Sequence, residues 1–465
     1  EQPTSACPRS GVTYAPRVTA KRRAPAKQSR VPAGRFERLA RLGWLAGEVA
    51  IGGIGEAARR FAGVSDAASS VFMTATNARK LAEKLSRMRG AAMKLGQLLS
   101  LEGQDFLPPE VADALSVLRA EGDAMPEAQL RRVLARNYGK SWEQRFRTFG
   151  MQPVAAASIG QVHHAIALDG RELALKIQYP GVAVSIESDV DNLATILKLS
   201  RLLPGDLDLS GILAEAKRQL RQETDYAIEA RHLRAYADKL GAEPGVVIPR
   251  VHDDLTTRHI LAMDYLEGAP LDALADADHT QKQRDRVGAL LYRILFRELF
   301  ELRFMQTDPN FANYLLLPSG DIGLLDYGAV RELPATLVAR YVELFRAGMR
   351  GDRGAMRAAM LAIGFFDINE REDRVEGLLD LFSLGFEPFA HKGAYDFGRS
   401  DIMSRAREVG MALTIGKGFM RPPPPETIFL HRKLGGTFLL CNRIGARADV
   451  RGLLRPFVDE PRAAR

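Results

Sequence analysis

The chain has 465 residues, more than one hydrophobic core usually serves, so two lobes or domains are expected. Its two cysteines, Cys7 and Cys441, exclude a disulfide framework and a four-thiolate zinc site, and they fit a reducing compartment. The net charge of +8 sits in residues 1–41, which hold ten Lys or Arg against Glu1 and Glu37, so the rest is neutral and a nucleic-acid-binding face is excluded.

Residues 1–32 form a basic arm carrying Pro3, Pro8, Pro16, Pro25 and Pro32, and this composition predicts disorder. The arm reads as a solvated tail, as the remnant of a transit peptide, or as a partner of anionic lipid headgroups. Its prolines argue against an amphipathic presequence helix, and the chain does not begin with Met. No secretory segment is legible. The glycine-dense stretch from Gly43 to Gly55 is short and broken by Glu48, and the apolar run Thr427–Cys441 contains His431, Arg432 and Lys433. No membrane-spanning helix is expected.

Residues 33–135 read as an N-terminal helical extension, with Gly43, Gly47 and Gly55 spaced for close packing or, alternatively, for an interfacial membrane contact, and breaks at Pro108-Pro109 and Pro126. From Val154 the period changes to that of strands. Val162–Leu168 and Glu172–Gln178 flank Asp169-Gly170, a two-residue hairpin signal. Leu173, Leu175 and Ile177 share one face of the second strand, so Lys176 points to the other. His163 and His164 fall on opposite faces and do not form a metal pair, and Trp44 and Trp142 are too few for a ligand cage. Residues 186–201 and 209–240 read as helices. Ile260–Met263 reads as a strand running into a hinge at Asp264–Gly268, which closes an N-lobe over 136–263. Residues 264–465 read as a helical C-lobe, with an amphipathic helix over 279–303 and a hairpin of Leu315–Leu317 with Ile322–Leu325 around Pro318-Ser319-Gly320.

The chemistry is written in the C-lobe. Asp308 and Asn313 are five apart, as in the catalytic loop of kinases, and Asp326-Tyr327-Gly328 follows the hairpin where a kinase has Asp-Phe-Gly. Asp308 is the candidate base or orienting residue for the attacking oxygen, and Asn313 and Asp326 are candidate Mg²⁺ ligands. Lys176 is the expected phosphate-binding lysine. It needs a carboxylate, and Glu223-Thr224-Asp225-Tyr226-Ala227-Ile228-Glu229 offers three, with Asp225 and Glu229 on one face if the run is helical. Where a glycine loop is expected, the chain has Val154-Ala155-Ala156-Ala157-Ser158-Ile159-Gly160-Gln161. Each Cβ there restricts the backbone and keeps N–H groups away from phosphate oxygens, so nucleotide should bind in an altered pose.

Ala155–Val162, Leu173–Gly181 and Gln306–Asn313, with Lys94-Leu95-Gly96-Gln97 and Glu223-Thr224-Asp225, resemble the UbiB/AarF atypical kinase family, whose eukaryotic members are the ADCK proteins of coenzyme Q biosynthesis. The resemblance runs from about residue 33 to 455. It implies an α+β, bilobal protein-kinase-like fold with the N-terminal helices over the active site, where Lys94, Gly96 and Gln97 would regulate access by protein substrates and Glu223 and Asp225 would face them. It implies Lys176 paired with Glu229, and a nucleotide site of Ala155, Ala156, Ala157, Ser158, Ile159, Gly160, Gln161, Val162, Lys176 and Glu229, completed by Met263 and Leu266 at the hinge. It further implies binding of ATP or ADP with Mg²⁺, ATPase activity, poor phosphorylation of other proteins, and support of ubiquinone assembly at a membrane.

The implied partners are nucleotide, an anionic membrane contacted peripherally, and quinone-biosynthesis proteins or lipid precursors, with a homodimer left open. The implied location is the bacterial cytoplasm at the inner membrane, or alternatively the matrix face of the mitochondrial inner membrane. Two departures are visible. Tyr327 replaces the usual Phe, and Gln306-Thr307 stand where kinases have His-Arg. A conventional Ser/Thr protein kinase and a non-catalytic, nucleotide-gated scaffold are the alternatives.

Overall fold

The computed structural model describes residues 125–157, 159–183, 190–191, 210–419 and 423–459. The basic arm, most of the helical extension with Lys94, Gly96 and Gln97, and Ser158 lie outside the described residues.

The described chain opens on helix α1, Glu127–Tyr138, which begins just after Pro126 as the proline break predicts. The domain boundary expected at residue 135 falls inside this helix. Leu130, Val133, Leu134 and Tyr138 form one buried stripe at helical spacing. Trp142, Phe146 and Phe149 pack below it, with the Trp142 and Phe149 ring centroids 5.1 Å apart, and join the helix to the sheet.

That sheet has strands β1 (Phe146–Phe149), β2 (Ala155–Ala157), β3 (Gly160–Ala167), β4 (Glu172–Gln178) and β6 (Ile260–Asp264), all antiparallel. Its order is β1-β3-β4-β6, and β2 pairs along the same edge of β3 as β1. The β3–β4 turn is one residue longer than the Asp-Gly turn expected. Gly170 N–H donates to Ala167 O and Ala167 N–H to Arg171 O, so Leu168, Asp169 and Gly170 form the loop. Gly170 takes φ +90°, the left-handed residue that a three-residue hairpin loop requires. β4 lies between β3 and β6 and is buried after its first residue.

The helix expected over 209–240 is two helices, α2 (Ser210–Glu223) and α3 (Tyr226–Leu240). The break has a local cause. Asp225 adopts an extended backbone and caps α3, its side chain accepting from Ala227 N–H at 3.0 Å. Asp225 and Glu229 therefore do not share a helix face.

In the C-lobe, helix α4 (Gln281–Phe296) starts at a Thr280–Gln283 capping box. The single helix expected to residue 303 ends instead in a π-helical turn, Arg297–Leu302, closed by Arg303 in the left-handed region. Strand β8 (Phe304–Gln306) pairs with β11 (Val330–Glu332). Between them, β9 (Tyr314–Leu316) and β10 (Ile322–Leu324) form the expected hairpin and pair with β7 (Ala269–Pro270) and β5 (Val246–Val247). The remaining chain is mainly helical. It includes α5 (Ala335–Arg350), α6 (Arg353–Ile363), α7 (Glu372–Gly385), α8 (Ile402–Met411), α9 (Pro425–Ile444) and α10 (Val450–Val458). An antiparallel sheet lobe followed by a helical lobe is the expected bilobal arrangement. Among the described residues no helix is long and apolar enough to cross a membrane.

Candidate active site

Lys176 sits mid-strand in β4, opposite Val162 of β3 and Leu261 of β6. Its ammonium is 2.7 Å from Glu229 Oε1 and 3.4 Å from Asp326 Oδ2, and it lies over the Tyr226 ring. The side chains of Lys176 and Glu229 are 7% and 3% exposed, so this is a buried pair reached by a more open Asp326. Burial opposes both charges. It pushes the Glu229 carboxyl upward, against the stabilising ammonium. It also works against the Lys176 ammonium, but Asp326 and Glu229 outweigh it and hold that group well above its ordinary value. Removing one partner of such a pair typically costs about 3–5 kcal/mol.

The other two acidic residues of the run have different places. Asp225, the cap of α3, lies 3.6 Å from Arg258. Glu223, the last residue of α2, is buried beside Gly328. A Cβ at Gly328 would lie 3.2 Å from Asp326 Oδ1, 3.4 Å from Glu223 Cγ and 3.7 Å from Glu229 Oε2. Three acidic side chains from three segments thus converge on one glycine.

The Asp308 loop is tied by its own polar groups. Asn313 Nδ2 donates to Asp308 O at 2.9 Å, and Thr307 N–H and Oγ1 both donate to Ala329 O. Gln306 Nε2 donates to Asp308 O at 2.7 Å and to Asp326 O at 3.3 Å. Asp326 Oδ1 accepts from Gly328 N–H at 2.8 Å. Tyr327 is buried against Tyr236, ring centroids 4.7 Å apart, and its hydroxyl has no hydrogen-bond partner among the described residues.

The Ala-rich stretch is a strand as much as a loop. Ala155, Ala156 and Ala157 pair with Val162, Gln161 and Gly160, so the stretch forms the first strand of a hairpin. The three alanines are exposed or half-buried, whereas Ile159 and Gln161 are buried. Gln161 Oε1 accepts from Met125 N–H at 2.8 Å, and its Nε2 is 2.7 Å from His163 Nε2, so that side chain is committed within the lobe. Met263 is buried in β6, and Leu266 follows at the hinge, with its Cδ1 over Gly323 of β10.

One residue of this site escapes motif reading. Arg432 of α9 donates from Nη2 to Asp308 Oδ1 at 2.8 Å, and its side chain is 5% exposed. The adjacent Lys433 reaches Gln306 and Glu298, and Gly436 packs under Pro309. The signal was a run of charged residues inside the apolar stretch Thr427–Cys441. Charges on a helix that is otherwise core-facing need buried partners.

A strand lysine paired to a helix glutamate, a D-x-x-x-x-N loop and an Asp-aromatic-Gly turn on a two-lobed scaffold define a protein-kinase-like protein. The chain belongs to the ABC1 atypical kinase-like family, whose domain matches residues 117–360, more than half of its length. It is 36% identical to "Atypical kinase COQ8B, mitochondrial" of Danio rerio, over 92% of this chain and 69% of that protein. "Atypical kinase COQ8, mitochondrial" of Schizosaccharomyces pombe and of Saccharomyces cerevisiae are each also 36% identical, over 93% and 90% of this chain and 71% and 84% of theirs. Among solved structures, the Rv3197–erythromycin complex from Mycobacterium tuberculosis matches with a TM-score of 0.58 at 25% identity, covering 83% of this chain and 97% of that one.

Proposed function

We propose that this chain is an ATP-dependent phosphotransferase or ATPase of the atypical kinase-like class, which binds ATP or ADP with Mg²⁺ and supports ubiquinone (coenzyme Q) biosynthesis as a peripheral protein at a membrane surface. The observation that carries the chemistry is the buried Lys176–Glu229 pair within reach of Asp326, which joins three segments distant in sequence. The likeness to COQ8 proteins supports the pathway. These relatives are named as mitochondrial, which favours the mitochondrial alternative over a bacterial cytoplasm.

In this reading Lys176 meets the nucleotide phosphates, oriented by Glu229, and the hairpin Ala155–Val162 lies over them with Met263 and Leu266 at the hinge side. Asp308 orients the attacking oxygen, and Arg432 holds one oxygen of its carboxylate in place. The Arg432 Nε and Nη1 atoms are buried without a hydrogen-bond partner among the described residues, and this donor surplus suits an anionic phosphate oxygen. Asp326 and the amide oxygen of Asn313 would hold Mg²⁺, a hard cation that takes oxygen ligands. No cluster of three or more His, Cys, Asp or Glu among the described residues has metal-binding geometry, so phosphates and water would complete the shell. Bound there, the ion offsets charge on the transferred phosphoryl group.

Partners in this reading are nucleotide, anionic lipid, and proteins or precursors of quinone synthesis, with Lys94, Gly96, Gln97, Glu223 and Asp225 as the regulatory set. A Dictyostelium discoideum relative, 33% identical, is named a probable serine/threonine-protein kinase, which keeps protein phosphorylation as the second reading. The test is Mg²⁺-dependent ATP turnover with and without anionic liposomes. Asp308→Asn and Asp326→Asn should each lower it by about a hundredfold or more. Full turnover in both variants would sink the reading, and efficient phosphorylation of added proteins would favour the second one.

A further inference from the structure

Two consecutive basic residues of α9 are buried, and each serves a different partner. Arg432 takes Asp308, whereas Lys433, 3% exposed, lies 3.1 Å from Glu298 Oε2, 3.1 Å from Gln306 Oε1 and 3.4 Å from the Tyr314 hydroxyl. Glu298 sits on the π-helical turn after α4 with its side chain 1% exposed, and its Oε1 accepts from the Tyr236 hydroxyl at 2.9 Å. Burial pulls the Lys433 ammonium down, but Glu298 and Tyr314 outweigh that and leave it above its ordinary value. Lys433 is therefore a charged donor in the interior.

The chemistry of Gln306 gives this pair a task. A carboxamide has a donor end and an acceptor end of nearly the same shape, so its partners decide which way it faces. Here Nε2 points at the carbonyl oxygens of Asp308 and Asp326, with one hydrogen for each. Turned over, the group would set Oε1 against two other acceptors. An ammonium can only donate, so Lys433 tolerates only the orientation that keeps Nε2 on both carbonyls.

We propose that Lys433, neutralised by Glu298, is a positioning residue for the phosphoryl-transfer centre: it fixes the Gln306 carboxamide as the tie between the backbone of Asp308 and that of Asp326. This rests on the roles proposed above for those two aspartates. It explains why an ion pair is kept in the core directly behind the loop, where an apolar pair of similar volume would often be no less stable.

The experiment compares ATP turnover and nucleotide affinity in the full chain for wild type, Gln306→Ala, the paired replacement Lys433→Met with Glu298→Gln, and all three changes together. The paired replacement is used because Lys433→Met alone leaves a buried carboxylate without a counter-charge. Gln306→Ala and the pair should each lower kcat by about tenfold or more, with nucleotide Kd within about threefold of wild type. The triple variant should be no slower than Gln306→Ala, because the pair acts through Gln306.

An unchanged kcat in the folded pair variant, or losses that multiply in the triple, overturns the inference. If the pair variant does not fold, Gln306→Glu presents acceptors to the same carbonyls with Lys433 and Glu298 in place, and an unchanged kcat there overturns it too. Asp308→Asn and Asp326→Asn are measured alongside. Full turnover in those two would defeat the reading of the centre, whereas their loss beside a fully active pair variant would defeat the positioning role alone.

Discussion

A single methyl group tests how tightly α9 grips the Asp308 loop. A Cβ at Gly436 would lie 2.1 Å from Pro309 Cγ and 2.4 Å from its Cβ, and the proline ring cannot swing aside as a flexible side chain would. Gly436→Ala should therefore displace the residue next to Asp308, at a cost of about 1–3 kcal/mol in stability. Turnover should fall with it, and a wild-type melting temperature would show that the helix and the loop are not in close contact. Tyr327 makes the opposite prediction. Its buried hydroxyl has no described partner, and an unsatisfied buried polar group costs about 1–3 kcal/mol. Tyr327→Phe should raise the midpoint of thermal unfolding; a lower midpoint would mean that the hydroxyl is bonded.

At the scale of elements, the hairpin β2–β3 carries the feature that sets this chain apart from glycine-loop kinases. Because Ala156 is a paired strand residue opposite Gln161, Ala156→Gly acts by loosening a strand rather than by freeing a loop. It should weaken the hairpin by about 0.5–1 kcal/mol and shift the ratio of ATP to ADP affinity, which calorimetric titration with both nucleotides would read. An unchanged ratio would mean that the alanines do not set the phosphate pose. The sequence made the lysine strand, the Asp308 loop and the Asp-Tyr-Gly turn legible because each is a short local pattern. It misled at Asp225, where helical periodicity carried on through a residue whose side chain caps a new helix. It marked Arg432 and Lys433 only as charges inside an apolar run and could not give their partners, which lie more than a hundred residues earlier, because no spacing rule joins α9 to that loop.

Across the whole molecule, the segment leading into α1 is tied to the sheet by a chain of neutral polar groups. Met125 N–H donates to Gln161 Oε1, Gln161 Nε2 donates to His163 Nε2, and His163 Nδ1–H donates to Gly150 O. The chain works only while His163 is neutral, since a proton on Nε2 would face the Gln161 amide donor. Burial lowers the His163 pKa from 6.5 to about 4. Between these values the unfolded chain binds more protons than the native one, so stability rises with pH there. The contribution is complete above pH 6.5 and is lost as pH falls through about 4, up to roughly 3 kcal/mol. His431, buried beside Phe365 and Tyr341, is lowered to about 4 for the same reason and adds to the acid sensitivity. Urea unfolding of wild type and His163→Gln at a series of pH values from 7 to 4 separates the two. The wild type should lose more stability than the variant by about the His163 share, the residual slope belonging to His431 and the carboxylates. Parallel profiles would show that His163 is not held neutral and that the tie to Met125 does not depend on it.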